Sequence, residues 1–318
     1  MKKGSRVILA IDLGGSKYMV GLISDDGEII KKKRYEWRSY DADEIIKQIC
    51  TAVDAMRQGY PDWHPELIGM TIPGLADAQK GIWKRSGFMG VRNLPIAPIL
   101  QETYQMPTFI DNDCRACALA EKRFGTARDC DDFFYITVSN GIGGALFLNG
   151  KLYTGAGGSS GEIGQIVVEE GGRSSHGRLQ GTLEAYASAR GLMANYLEAG
   201  GWERVQGKRM DGRMLSALAD EGDSAAKRAF ERQGYYLGKA LAMVCNLLDP
   251  ERIVIGGGLS LAFRHYRQSL EAELEKGLMM GHDPRLCVLP SILGYEGALL
   301  GAAAVALRAV DREESESG

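Results

Sequence analysis

Three glycine-rich turns and one Asn-Asp pair hold the residues best suited to chemistry in this 318-residue chain. The first turn, Asp12-Leu-Gly-Gly-Ser16, follows a β-rich run and leads into Lys17. The second, Ser139-Asn-Gly-Ile-Gly-Gly144, follows Phe133 to Val138, and the third, Gly256-Gly-Gly258, follows Arg252-Ile-Val-Ile255. Glycine permits positive φ and lets backbone N–H groups approach an anion closely, so each turn could cradle a phosphate. Gly14, Gly15, Ser16 and Lys17 add a hydroxyl and an ammonium to those amides, and Asp12 beside them suits a hydrated Mg²⁺. Asn140, Gly141 and Gly143 are the candidates in the second turn, and Gly256, Gly257 and Gly258 in the third. Taken singly, each is equally an ordinary tight turn. Three of them, each directly after a strand, point to phosphate binding. None has the G-x-x-x-x-G-K-[ST] spacing of a P-loop. Gly141-Ile-Gly143-Gly144 runs into another strand, which argues against a dinucleotide fingerprint.

The Asn112-Asp113 pair ends an extended segment, Met106 to Asp113, and opens a helix predicted over Cys114 to Phe124. One of the two must cap that helix, and many such pairs do no more. A carboxylate at a helix start is also kept ionised by the helix dipole. It could then accept the proton of an alcohol attacking a γ-phosphate, which is most of what phosphoryl transfer asks of a protein. Downstream, Gly161-Glu162-Ile-Gly-Gln165 and Leu183-Glu184-Ala-Tyr-Ala-Ser188 set two carboxylates and an amide among small or apolar neighbours. Such groups suit paired hydrogen bonds to vicinal sugar hydroxyls, although Glu184 alone reads as a first-turn helix acid and Glu162 alone as a loop residue.

The elements that must position these residues are legible in outline. Strands are predicted over Arg6 to Ile11, Tyr18 to Ser24 and Glu28 to about Trp37, then a helix from Asp41 to Gly59 with one apolar face. A short strand, Leu67 to Ile72, ends at Pro73-Gly74. The opening pattern returns at Phe133 to Val138, Ala145 to Leu148 and, after an Asn149-Gly150 turn, Lys151-Leu-Tyr153. Two strand–turn–strand–turn–strand units, one opening each half, imply a duplicated α/β architecture. Helices are predicted over Thr182 to Ala199, Met214 to Ala219, Ser224 to Leu248, through Lys276, and over Gly297 to Val310. The charged tail from Asp311 is expected to fray.

Composition narrows the function class. With 45% hydrophobic and 25% charged residues the chain is ordinary for a globular protein, and its length allows two domains. A formal charge of −3 gives no basic excess for nucleic acid. No apolar run is long enough for a membrane span, so a cytoplasmic protein is expected. The six cysteines are scattered except for Cys114-x-x-Cys117, which falls inside a predicted helix with no second pair to complete a zinc site; they read as small core residues.

Together these motifs resemble the ROK family (repressors, uncharacterised reading frames and sugar kinases) of the actin-like ATPase superfamily, over nearly the whole chain. Ala10-Ile-Asp-Leu-Gly-Gly-Ser-Lys17 resembles its first phosphate motif, Val138-Ser-Asn-Gly-Ile-Gly-Gly144 its second, and Ile253-Val-Ile-Gly-Gly-Gly-Leu259 its adenosine motif. Asp111-Asn-Asp-Cys-Arg-Ala-Cys-Ala-Leu-Ala-Glu121 is similar to its Asn-Asp-x-x-x-x-Ala-x-x-Glu stretch. The resemblance implies two actin-like (ribonuclease H-like) α/β domains with ATP and sugar in a central cleft. These would be residues 1–110, with helix 297–310 packed back on them, and residues 111–296. It also implies an ATP- and Mg²⁺-dependent kinase, acting as a homodimer on a hexose or hexose derivative. Asp113 would be the base at the 6-OH. Asn112, Glu162 and Glu184 would grip sugar hydroxyls, with Gly74 and Ser86 contributing from the first domain.

Three departures bear on the substrate. The family commonly has a His, which contacts sugar and ligates zinc, where this chain has Gln165. Its C-x-C-G-x-x-G-C run is matched by Ser174-Ser-His-Gly-Arg-Leu-Gln-Gly-Thr182, which has no cysteine, so a structural zinc is not expected and His176 reads as a loop residue. Arg85-Ser-Gly-Phe-Met-Gly90 replaces the usual Pro-Asn-Leu segment. Regulators of the family carry an N-terminal helix-turn-helix; here the first phosphate strand begins at Arg6, so no such segment is expected. The expectation is a kinase, with a sugar-sensing regulator or pseudokinase as the alternative.

Overall fold

The computed structural model describes residues 6–174, 179–205, 208–279, 281 and 283–317. Its contacts divide the chain into two compact units. The first comprises Met1–Arg128, Gly155–Ser159 and Glu296–Gly318; the second comprises Asp129–Thr154 and Ser160–Tyr295.

In the first unit the order is β1 (Val7–Leu13), β2 (Lys17–Ser24), β3 (Ile29–Glu36), α1 (Ala42–Gly59), β4 (Leu67–Ile72), β5 (Leu75–Asp77), β6 (Ile82–Arg85), β7 (Arg92–Leu94), α2 (Ile96–Tyr104), β8 (Thr108–Asn112) and α3 (Asp113–Arg123). The main sheet runs β3-β2-β1-β4-β8, and β5-β6-β7 form a smaller one. Strands β1 and β4 are central and apolar almost throughout, as strands covered on both faces must be. Edge strand β3 exposes Lys31-Lys-Lys-Arg34, a charge run that discourages edge-to-edge pairing. Helix α1 is capped by Asp41, whose side chain accepts from the Asp43 and Glu44 N–H groups, and buries Ile45, Ile49, Val53 and Met56.

The second unit holds β9 (Phe133–Val138), β10 (Ile142–Leu148), β11 (Lys151–Tyr153), α4 (Leu183–Ala187), α5 (Ala189–Glu198), the short pair β12 (Arg204–Val205) and β13 (Lys208–Arg209), α6 (Gly212–Asp220), α7 (Ser224–Leu248), β14 (Arg252–Gly256), α8 (Phe263–Gly277) and β15 (Cys287–Pro290). Its sheet runs β11-β10-β9-β14-β15, with two antiparallel and then two parallel pairings, as in the first unit. Asn149 and Gly150 both have positive φ, as a two-residue hairpin turn requires.

The last helix, α9 (Gly297–Ser317), packs on β4, β1 and α3 of the first unit. It approaches so closely that a Cβ on Gly69 would stand 1.9 Å from the Ala302 carbonyl oxygen. The helix continues through the tail expected to fray, and an Arg123–Asp311 ion pair at 2.6 Å ties down its first residue. The division of the chain falls after Arg128 rather than at residue 110. Strand β8 hydrogen-bonds to β4 and α3 packs on α9, which hold residues 111–128 in the first unit. The helix expected over Thr182 to Ala199 is interrupted at Ser188, which is extended (φ −69, ψ 174). The break frees the Ala189 N–H for the Ser139 carbonyl at 2.8 Å, and the Ser188 side chain caps the new helix. Residue His176 lies outside the described residues.

Candidate functional site

Strand register gathers the first unit's candidates. Asp12 pairs with Thr71, and Ile72 with Asn112, so all lie at the carboxyl ends of three adjacent parallel strands, where open α/β sheets bind ligands. Asp12 accepts a hydrogen bond from Thr71 Oγ1 at 2.7 Å. Burial pushes its carboxyl above the usual carboxylate range, against the lowering pulls of Thr71 and Lys17. A desolvated carboxylate of this kind gains from a nearby cation, so its chemistry fits a hydrated Mg²⁺. The turn that follows closes with the Gly14 N–H donating to the Lys17 carbonyl at 3.0 Å.

Asn112 is the cap of α3, accepting from the Cys114 and Arg115 N–H groups at 3.0 and 3.3 Å. Its amide nitrogen donates to Asp113 Oδ1 at 2.8 Å and to the Gly74 carbonyl at 2.9 Å. Asp113 Oδ1 also accepts from the Cys114 N–H at 2.9 Å, so two donors fix that carboxylate's orientation. Beneath the pair, buried Asp111 and Arg115 bond at 2.6 Å, and Asp111 takes the Asn112 N–H at 2.7 Å. Gly74 has φ +94, and a Cβ there would lie 2.3 Å from the Arg85 carbonyl oxygen, beside Ser86. Ser86 is only 2% exposed, and its hydroxyl has no hydrogen-bond partner among the described residues. Gly74, Ser86, Asn112 and Asp113 thus form one cluster. The motif's last residue, Glu121, is buried at the end of α3 and accepts from the Thr126 N–H, a structural use.

In the second unit Glu184 reaches the second glycine turn. Its Oε2 accepts from the Ile142 N–H at 3.0 Å and stands 2.7 Å from where a Gly141 Cβ would be. The segment carrying Glu162 and Gln165 lies along β10, with Gly161 against the Gly144 carbonyl and Gly164 against that of Ile142. Glu162, Gln165 and Glu184 therefore surround β10 and the turn holding Asn140, Gly141 and Gly143. The third turn is adjacent, since Gly256 pairs with Thr137 across β14 and β9. Gly257 (φ +79) leaves no room for a side chain: its Cβ would be 2.5 Å from the Val138 carbonyl oxygen. Asn140 and Gly258 line a single cavity of about 410 Å³, with Ala189, Leu259, Leu261 and Ala262 among its apolar walls. Arg213 and Tyr295 stand at this cavity, the guanidinium 5.0 Å from the ring centroid.

The ROK family profile matches residues 8–309. The chain belongs to the ROK family. It is 29% identical to a glucokinase of Halalkalibacterium halodurans over 92% of this chain and 93% of that one. It is 28% identical to the Escherichia coli DNA-binding transcriptional dual regulator NagC, over 95% of this chain and 75% of NagC. Among solved structures it resembles a ROK hexokinase from Thermus thermophilus (TM-score 0.80, 31% identity, 96% of this chain and 99% of that one). It also resembles a ROK glucokinase from Streptomyces griseus solved with glucose and AMPPNP (TM-score 0.83, 26% identity, 95% and 99%). The fold is the α/β, two-domain actin-like fold expected from the sequence.

In this ROK protein Arg173 is tied to α4 and α5. Its backbone N–H donates to Tyr186 Oη at 2.9 Å, Nη1 to Asn195 Oδ1 at 2.8 Å, and Nε to Glu198 at 3.0 Å. Its guanidinium also lies over the Tyr186 ring, 4.6 Å from the centroid. The Arg173 hydrogen bond, foremost, holds the Glu198 carboxyl below its usual range. Among the described residues no group of three or more His, Cys, Asp or Glu side chains is placed to hold a metal ion.

Thr71, Arg115, Arg213 and Tyr295 were not among the residues expected from sequence. Thr71 had a signal, since it is the one hydroxyl side chain in an otherwise apolar strand. Arg213 and Tyr295 are 82 residues apart and had none.

Proposed function

We propose that this ROK protein is an ATP-dependent sugar kinase that transfers the γ-phosphoryl group of ATP to a hydroxyl, the 6-OH, of a hexose or hexose derivative. One observation carries the reading: Asp113 sits at a helix start at the carboxyl end of β8, its carboxylate oriented by Asn112, in a chain similar to glucokinases. In this role Asp113 takes the proton of the attacking hydroxyl. Asn112, Glu162, Gln165 and Glu184 bind ring hydroxyls, and the buried Ser86 hydroxyl beside Gly74 supplies another contact. Gln165, in place of the family's usual His, changes the donor and acceptor pattern offered to the sugar.

The amides of the first and second turns hold the phosphates, and the cavity at Asn140 and Gly258 takes the adenosine. Asp12 would hold Mg²⁺, which when bound offsets charge on the phosphate oxygens. We further infer a cytoplasmic homodimer acting on small molecules, without a nucleic-acid or membrane partner. No helix among the described residues is long and apolar enough to cross a membrane.

Similarity to NagC keeps a second reading in view, a sugar-sensing regulator without turnover. A coupled ADP-release assay over glucose, mannose, fructose and N-acetylhexosamines separates the two. Stimulated ADP release supports the kinase, whereas sugar binding without release overturns it.

A further inference from the structure

We propose that Trp37 and Tyr40 set the orientation of the first phosphate turn and are positioning residues for nucleoside-triphosphate binding. This rests on reading Asp12 to Lys17 as a phosphate turn. Trp37 Nε1 donates to the Gly14 carbonyl at 2.8 Å, and Tyr40 Oη to the Gly15 carbonyl at 3.1 Å. In a planar trans peptide the C=O and the following N–H point to opposite sides. Anchoring these two carbonyls therefore turns the Gly15 and Ser16 N–H groups together toward the face away from the rings. Those are two of the amides the turn would offer an anion. Two consecutive glycines have little conformational preference of their own, so the anchor must come from elsewhere.

The register supplies it. Lys17 pairs with Glu36, which brings the next residue, Trp37, opposite the turn. Its ring lies 4.3 Å from that of Tyr18, and Tyr18 Oη donates to the Gln48 carbonyl on α1 at 3.0 Å. The clamp is thus tied to a capped helix rather than to a loop. Phe88 covers another side of the turn, since a Cβ on Gly15 would meet its ring at 2.6 Å.

The test compares Trp37→Phe and Tyr40→Phe with wild type. Tyr40→Phe removes only the donor hydroxyl, whereas Trp37→Phe keeps an aromatic ring but removes the indole N–H together with part of the ring packed on Tyr18. Calorimetric titration with AMPPNP should show affinity lowered about 5- to 10-fold by Trp37→Phe, the scale of one lost hydrogen bond. The exposed Tyr40→Phe should show a smaller loss, with the KM for glucose and the melting temperature hardly moved; in Trp37→Phe the KM for glucose should likewise hardly move. A purely structural role would instead lower melting temperature and raise both KM values. If Trp37→Phe fails to fold, Tyr40→Phe decides alone. AMPPNP binding at wild-type strength in the folded variants overturns the proposal, even where Asp113→Asn is inactive and the kinase reading stands. Failure of the wild-type protein to bind AMPPNP overturns both.

Discussion

The two sheets follow the same path, β3-β2-β1-β4-β8 in one unit and β11-β10-β9-β14-β15 in the other, yet their strand ends are equipped differently. In the first unit the carboxyl ends carry acids: Asp12 on β1, Asp111 on β8 and Asp113 just beyond it. In the second they carry glycine and small polar groups, and the nearby carboxylate, Glu184, arrives from a helix. A strand-end acid is fixed by the sheet and held to one geometry, which suits a base or a metal ligand. Past the crowded Gly256 and Gly257, the third glycine, Gly258, has open space beside it and lines the 410 Å³ cavity. On the proposed reading, one scaffold used twice places the base and the metal ligand in the first unit and the adenosine cavity in the second.

The largest expected effect tests the first half of that contrast. Asp113→Asn should lower turnover about 10²- to 10⁴-fold, the scale of a general base, with sugar affinity largely kept. Near-normal turnover, measured by ADP release, would move the base elsewhere. Gly69→Ala probes the packing that holds those strands. Its Cβ would collide with the Ala302 backbone, so urea unfolding should show a loss of about 3 kcal/mol as α9 is forced off β4. Stability within error of wild type would show that α9 can give way without cost.

Arg173→Ala is the corresponding test in the second unit, with an expected loss of about 2 kcal/mol from severed charge-assisted hydrogen bonds. Its pH dependence has a definite sign. The Glu198 carboxyl is held down in the folded state, so its contribution is fully present above the unfolded glutamate value of about 4.3 and is lost as pH falls below it. The gap between wild type and Arg173→Ala should therefore narrow on acidification; a gap that widens would contradict the assignment. Smallest of all, Gly141→Ala should displace the flexible Glu184 carboxylate and raise the sugar KM a few-fold, roughly the cost of one weakened hydrogen bond. An unchanged KM would remove Glu184 from the sugar site.

Several elements are legible in the sequence alone. Leu67 to Ile72, Phe133 to Val138 and Ser224 to Leu248 have the predicted ends, because turn residues and caps bracket strong apolar patterns. Strands β5, β6, β7 and β15 and helix α2 are not legible in this way: they are short, and nothing in their spacing stands out. The break at Ser188 is equally hidden, since a continuous helix satisfies local propensity. Bonds that the local sequence does not show, from Ala189 N–H to the Ser139 carbonyl and from Gln233 to the Ala187 carbonyl, help hold the interruption.

By itself the sequence determined the chemistry on offer: which turns can present amides, which carboxylates stand ready, and that two similar units carry them. Those properties are local, set by residue type and by neighbours a few positions away. Tertiary structure decided which residues meet. Asn112 orienting Asp113 against Gly74, Glu184 reaching Ile142, and Trp37 anchoring Gly14 all depend on strand register and helix packing. Register is a property of paired segments, and no single stretch of chain contains it.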